Sequence, residues 1–219
     1  MFFRKKKDFY SESMKILTEK GYCEEYSEKL LSEIAKAKSP SDIAEGKSRY
    51  ANSLLFMGEL KRAANAYEDV ETEKVPKVSA QAFLANRILC LFLLNRFAAA
   101  DEIYVQYNKI VLGEPTVFLR RSLGIHQFIA GNFDAAVTVF IKMINDYRDE
   151  RKTLMTDICI VRSFLKLDMI ADAQKASEDF SAYDGKNELT ELCRKLRKKI
   201  FDKSSSADKV KMVTGKKKK

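Results

Sequence analysis

Gly46-Lys47-Ser48 has the residue types that close a phosphate-binding loop, in which glycine N–H groups and a lysine cradle the phosphates. That chemistry needs another glycine five residues before Gly46, but Ser41 stands there, and no strand-like run leads into the segment. His126 is the only histidine, so a His-x-x-x-His metal pair is not available. A thiolate–imidazole nucleophile would have to bring His126 to Cys90 or Cys159, neither of which carries a flanking signature. A half-buried histidine on a helix is the plainer reading. The acidic pairs Glu24-Glu25 and Glu68-Asp69 fall where solvated helix faces are expected. No catalytic residue, metal-ligand set or cofactor is expected, and the chain reads as a non-enzyme.

The cysteines Cys23, Cys90, Cys159 and Cys193 are far apart and form no Cys-x-x-Cys pair. In a chain of 219 residues that is 46% hydrophobic, they suit free thiols in a reducing compartment better than a disulfide framework. The longest wholly apolar run, 88–94, is far short of the roughly 18–20 residues that a bilayer span needs. Met1-Phe2-Phe3 is followed at once by four cations, which leaves no apolar stretch for a signal peptide. A soluble cytoplasmic protein is expected.

The net charge of +9 suggests nucleic acid or an anionic membrane until it is located along the chain. Residues 1–7 carry +4 and residues 194–219 carry +10, which leaves −5 for residues 8–193. The ends are basic and the body is mildly acidic.

The elements that must position any site follow from an internal repeat. Gly21, Gly58, Asn95, Gly131 and Asp168 are spaced 37, 37, 36 and 37 residues apart. Gly, Asn and Asp are the types that tolerate the left-handed conformation ending a helix. Two residues after each stands an apolar residue: Cys23, Leu60, Phe97, Phe133 and Ile170. The next column is Tyr26, Ala63, Ala100, Ala136 and Ala173, small in four copies, and one helical turn later come Leu30, Tyr67, Tyr104, Phe140 and Ser177. Pro40, Pro76 and Pro115 fall near the junctions, where they separate units without interrupting a helix. Each unit is therefore a helix, a tight turn and a second helix whose small residues allow close approach.

The pattern G-x-apolar-x-x-A-x-x-x-aromatic, seen in Gly58, Leu60, Ala63 and Tyr67, resembles the tetratricopeptide repeat in a divergent form. The small residue of the first helix appears as Ala51 and Gly124, whereas Lys47 and Arg120 stand where an aromatic is usual. The period also exceeds the usual value of about 34. The resemblance implies an all-α, right-handed α–α superhelix of about five helix–turn–helix units, closed by a C-terminal capping helix. The expected organisation is a basic arm at 1–6 and an array at 7–182, divided near 7–40, 44–76, 81–115, 117–150 and 154–182. A capping helix at 186–203 and a disordered basic tail at 204–219 follow. The capping helix is read from Leu189, Leu192, Leu196 and Ile200 at three- and four-residue spacing, with cations on the other face.

In the family the first helix of each unit lines a groove, and the register places Arg49, Asn52, Phe56, Asn86, Phe92, Arg121, Phe128 and Arg162 there. Phe56, Phe92 and Phe128 recur every 36 residues, either as an aromatic stripe or as packing between adjacent first helices. Members that grip a peptide's C-terminal carboxylate use two Asn and several cations. Asn52 and Asn86 stand in those Asn positions and Arg121 one residue from a cation, but Ser48 and Phe118 replace lysines. An incomplete clamp of this kind favours an acidic or extended peptide.

The expected function is a non-catalytic adaptor or scaffold that binds a peptide or partner protein in the groove; exposed end repeats also allow a homodimer. Two alternatives stand beside it: a subunit docked to an anionic membrane or nucleic acid through its basic termini, and an RNA-binding helical-repeat protein. The second alternative requires cations along the groove helices, where the body is net acidic.

Overall fold

Five residues in the left-handed backbone region divide the helices into pairs: Gly21 (φ 71°), Gly58 (87°), Asn95 (61°), Gly131 (84°) and Asp168 (55°). They are the five turn residues of the sequence repeat. At four of them the chain closes the preceding helix with the same bond, from the N–H just past the turn residue to a carbonyl five residues back. Glu59 donates to Leu54 (2.9 Å), Arg96 to Leu91 (2.8 Å), Asn132 to Gln127 (2.9 Å) and Met169 to Phe164 (3.0 Å). This is the six-to-one bond of a Schellman turn, which satisfies carbonyls that a helix end otherwise leaves without partners. Gly21 closes differently, with its own N–H on the Leu17 carbonyl and ψ at −162°.

The computed structural model describes residues 10–108, 117–146, 150–182 and 185–215. Among these residues it contains eleven α-helices and no strand, and the fold is all-α, of the helical-repeat solenoid class. The basic arm at 1–6, Pro115 and the last four lysines lie outside the described residues. The chain divides into two compact units, Met1–Glu114 and Pro115–Lys219.

The first unit contains α1 (Ser11–Lys20), α2 (Glu24–Ile34), α3 (Pro40–Met57), α4 (Leu60–Glu68), a 3-10 turn (Thr72–Lys74), α5 (Lys77–Leu93) and α6 (Phe97–Asn108). The start of α3 is written locally: the Ser39 hydroxyl accepts from the Asp42 N–H at 3.1 Å, and Pro40 opens the first turn where no N–H is needed. Pro76 stands directly before α5. Each helix packs on the next in sequence, and α3 also packs on α5.

The second unit contains α7 (Val117–Ile129), α8 (Phe133–Asp146), α9 (Glu150–Lys166), α10 (Ile170–Ala176), a 3-10 turn (Glu178–Ala182) and α11 (Glu188–Gly215). Here α7 packs on α8 and α9, α8 on α9, and α9 on α10.

The repeat columns form the core of both units. Ala63, Ala100, Ala136 and Ala173 are fully buried, and so are Leu30, Tyr67 and Phe140 of the following column. An alanine with no exposed surface at a helix–helix contact leaves no room for added carbons. Ala63→Leu and Ala100→Leu should each cost about 1–3 kcal/mol through overpacking; thermal melts that match wild type for both would refute this register.

Helix α11 packs on α9, α10 and the 178–182 turn, with Leu189, Cys193, Leu196 and Ile200 buried. Lys203 ties it to the end of α9 by donating to the Leu165 carbonyl at 3.4 Å and pairing with the Asp168 carboxylate. That ammonium holds the Asp168 carboxyl below the usual carboxylate range. The helix does not end at Lys203, as the sequence reading had it; it runs on to Gly215, which corrects the expectation of disorder from Ser204 through that residue. Extending a formed helix requires no new nucleation, and Ser206 turns its hydroxyl back onto the Asp202 carbonyl at 2.8 Å.

Candidate interaction surface

Helices α3 and α5 carry the predicted groove residues of the first unit, and two of these meet directly. The Asn86 side-chain amide donates to Asn52 Oδ1 at 3.0 Å, and the Tyr67 hydroxyl donates to the same oxygen at 2.7 Å. One carboxamide thus joins α3 to α4 and α5. Asn86 is buried and Asn52 is half-buried. One turn before Asn52, the Arg49 guanidinium pairs with Glu45 at 2.7 Å and lies over the Tyr10 ring, 5.1 Å from its centroid. Tyr10 is itself buried and donates its hydroxyl to the Asp42 carbonyl. Burial, with the Asp42 and Glu45 charges, pushes its phenol up to about 12.

Tyr10 reaches this place because of Gly46. A Cβ at that position would lie 2.2 Å from the Tyr10 hydroxyl oxygen and 2.5 Å from Ile34 Cγ1. The phosphate-loop-like Gly46-Lys47-Ser48 therefore sits inside α3, where its glycine permits a close helix contact and its serine is buried.

The aromatic column packs inward. Phe56 stacks on Tyr22 with centroids 4.6 Å apart, and Phe92 contacts Phe97 at 5.5 Å across its own turn. In the second unit Phe128 contacts Phe133 at 5.2 Å in the same arrangement. Phe56, Phe92 and Phe128 are 8%, 0% and 6% exposed, which makes these rings helix-pair packing and leaves little of them to a partner.

The second unit also carries Arg121 on α7 and Arg162 on α9, 2% and 8% exposed. Burial lowers the pKa of Arg162. Burial also pushes the neighbouring Cys159 thiol up to about 12, against the opposing pull of Arg162 and Arg121. Of the eight predicted residues, Arg49 and Asn52 are the two that keep appreciable surface in their own unit.

One cluster has no counterpart in the sequence reading. Asp157 on α9 is half-buried; burial, with the charge of Asp179 in the 178–182 turn, pushes its carboxyl up to about 7. Burial, with the Asp157 charge, also pushes the Cys193 thiol of α11 up to about 12. These residues come from three separate segments at no regular spacing, so no periodic pattern points to them. The cysteines are free thiols, with Cys90, Cys159 and Cys193 buried. No group of His, Cys, Asp and Glu among the described residues is placed to hold a metal ion. No described helix is long and apolar enough to cross a membrane.

No protein-family model matches the chain, and no curated relative matches it. Among solved structures it is similar to a tetratricopeptide repeat protein from Parabacteroides merdae ATCC 43184, at 17% identity and a TM-score of 0.51. The similarity covers 94% of this chain and 77% of that one. With its left-handed turns and small-residue columns, the chain has a tetratricopeptide-like fold.

Proposed function

We propose that the protein is a non-catalytic interaction scaffold that takes an acidic or extended segment of a partner protein along its first helices. The observation that carries this reading is the polar row of the first unit, where Arg49 and the carboxamides of Asn52 and Asn86 are held in fixed orientation by Glu45, Tyr10 and Tyr67. Preorganised donors of this kind suit recognition of carboxylates and backbone carbonyls, because their ordering cost is already met in the fold. Arg49 and Asn52 make the first contact, with Glu45 and Tyr10 positioning Arg49 and with Tyr67 and Asn86 positioning Asn52; Phe56 and Phe92 pack within their helix pairs. The buried free thiols suit a reducing, cytoplasmic setting.

The test separates recognition from folding. Asn52→Asp keeps an oxygen to accept from Tyr67 and Asn86 but replaces an amide donor with a negative charge. Arg49→Gln removes the cation and keeps a donor for Glu45. The double variant should melt within a few degrees of wild type and capture partners from a lysate at least tenfold less well, as judged by quantitative mass spectrometry of the bound fraction. Equal capture by both proteins removes this row from consideration.

A further inference from the structure

The outward face of α11 carries a run of cations, of which Arg194 donates to the Gly185 carbonyl at 3.3 Å. Arg194, Lys195, Arg197, Lys198 and Lys199 stand between Leu192 and Phe201 with no acidic residue among them, and all five are exposed. Glu191 pairs with Lys195 at 2.7 Å, and Asp202 follows the run; the face remains strongly positive. Leu189, Cys193, Leu196 and Ile200 are already buried within the unit, so α11 cannot lie on a bilayer by its apolar side as a free amphipathic helix does. Among its described side chains, what it turns outward is cations around a single large apolar one.

That side chain is Phe201, 69% exposed. Arg197 and Lys198 stand one helical turn before it and Arg194 two turns before it, which places all three on its side of the helix. Arg197 and Phe201 also line one shallow cleft of about 360 Å³. We propose that this face docks on an anionic phospholipid surface, with the cations over the headgroups and the Phe201 ring entering the interface. An acidic protein surface would be served by the cations alone. Single-stranded nucleic acid is gripped by successive stacking rings, and the described part of α11 offers one. A lipid surface uses both features, because headgroup charge and the apolar boundary lie next to each other.

The chain has no tryptophan, so Phe201→Trp introduces a single indole reporter. The full chain is mixed with vesicles of phosphatidylcholine alone or with phosphatidylserine added, at low and physiological salt, and with a short oligouridylate as a separate arm. The expected result is a blue shift of the Phe201→Trp emission, with shielding from an aqueous quencher, on the phosphatidylserine vesicles only. Co-sedimentation of wild type should fall as salt rises. Arg197→Gln with Lys198→Gln should lower binding about thirtyfold, at roughly fivefold per cation, and Phe201→Ser about threefold to tenfold. All three positions are exposed, and unchanged melts for the variants show that folding is not the cause.

Three outcomes overturn the proposal: no binding to phosphatidylserine vesicles, binding without an emission shift, or binding of the oligouridylate alone. Because these residues lie on a different helix from Arg49 and Asn52, any of the three leaves the scaffold reading to its own test.

Discussion

Phe140→Ala should destabilise the second unit by about 3–5 kcal/mol, the usual cost of emptying a fully buried aromatic site. Phe140 is 0% exposed and its ring covers Gly124 of α7. A Cβ built on Gly124 would meet Phe140 Cε1 at 2.5 Å and its Cδ1 and Cζ at 2.8 Å. Glycine inside a helix normally costs about 1 kcal/mol relative to alanine, so Gly124→Ala on an open helix face would stabilise. Here the added methyl strikes a ring with no free space around it, and the expected sign is reversed to a loss of about 1–3 kcal/mol. The two changes probe one contact from opposite sides. In the double variant the methyl enters the space vacated by the ring, so its loss should be smaller than the sum of the single losses by at least about 1 kcal/mol. Denaturant midpoints of the four proteins measure this coupling; strict additivity would show that Gly124 is not small on account of Phe140.

A second large effect is expected from Asp157. Its folded-state pKa, about 7, lies above the ordinary carboxylate value of 3.8 because burial and Asp179 both oppose ionisation. A group whose pKa rises on folding binds more protons folded than unfolded between those two values, so stability falls with rising pH in that window. The contribution is fully present below about pH 4 and is lost as pH passes through 7. Undiluted, the shift corresponds to about 4 kcal/mol; solvent reaches part of this pair, and screening reduces the expected loss to about 2–3 kcal/mol. Asp157→Asn has nearly the same shape and carries no charge at any pH. It should match wild type near pH 4 and exceed it in stability at pH 8. Melting curves from pH 4 to pH 8 for both proteins provide the check, and parallel curves would exclude the ionisation of Asp157 as the cause of any pH dependence.

Which parts of the molecule could be read from sequence follows a physical division. Gly21, Gly58, Asn95, Gly131 and Asp168 were legible because positive φ is open at low cost to few residue types; all five adopt it, four of them in the same turn. The small column at Ala63, Ala100, Ala136 and Ala173 was legible because close approach of two helices excludes larger side chains. The length of α11 was not, since three consecutive serines read as a break when judged locally, although a docked helix extends through them. Tyr10 belongs to the same class: its place over α3 depends on Gly46 of the next repeat unit, and a repeat register does not say that a residue of one unit packs on a residue of the next.

The groove residues show the limit most clearly. Helical period places Arg49, Asn52 and Phe56 on one face of α3, and Asn86 and Phe92 on α5. Period is a property of one helix and does not say whether that face meets water or a neighbouring helix. Packing turned Asn86 inward against Asn52 of α3 and Phe92 inward against Phe97 of α6, and left Arg49 and Asn52 partly open. Likewise Asp157 feels the charge of Asp179 only because the fold brings α9 within electrostatic reach of the 178–182 turn. By itself, then, the sequence determined where the helices turn, which residues must be small, and that the ends rather than the body hold the positive charge. Tertiary structure decided which polar side chains keep contact with solvent, which carboxylates share a site, and that Phe201 stands outward among cations. Those outcomes depend on contacts between segments, which one-dimensional spacing does not encode.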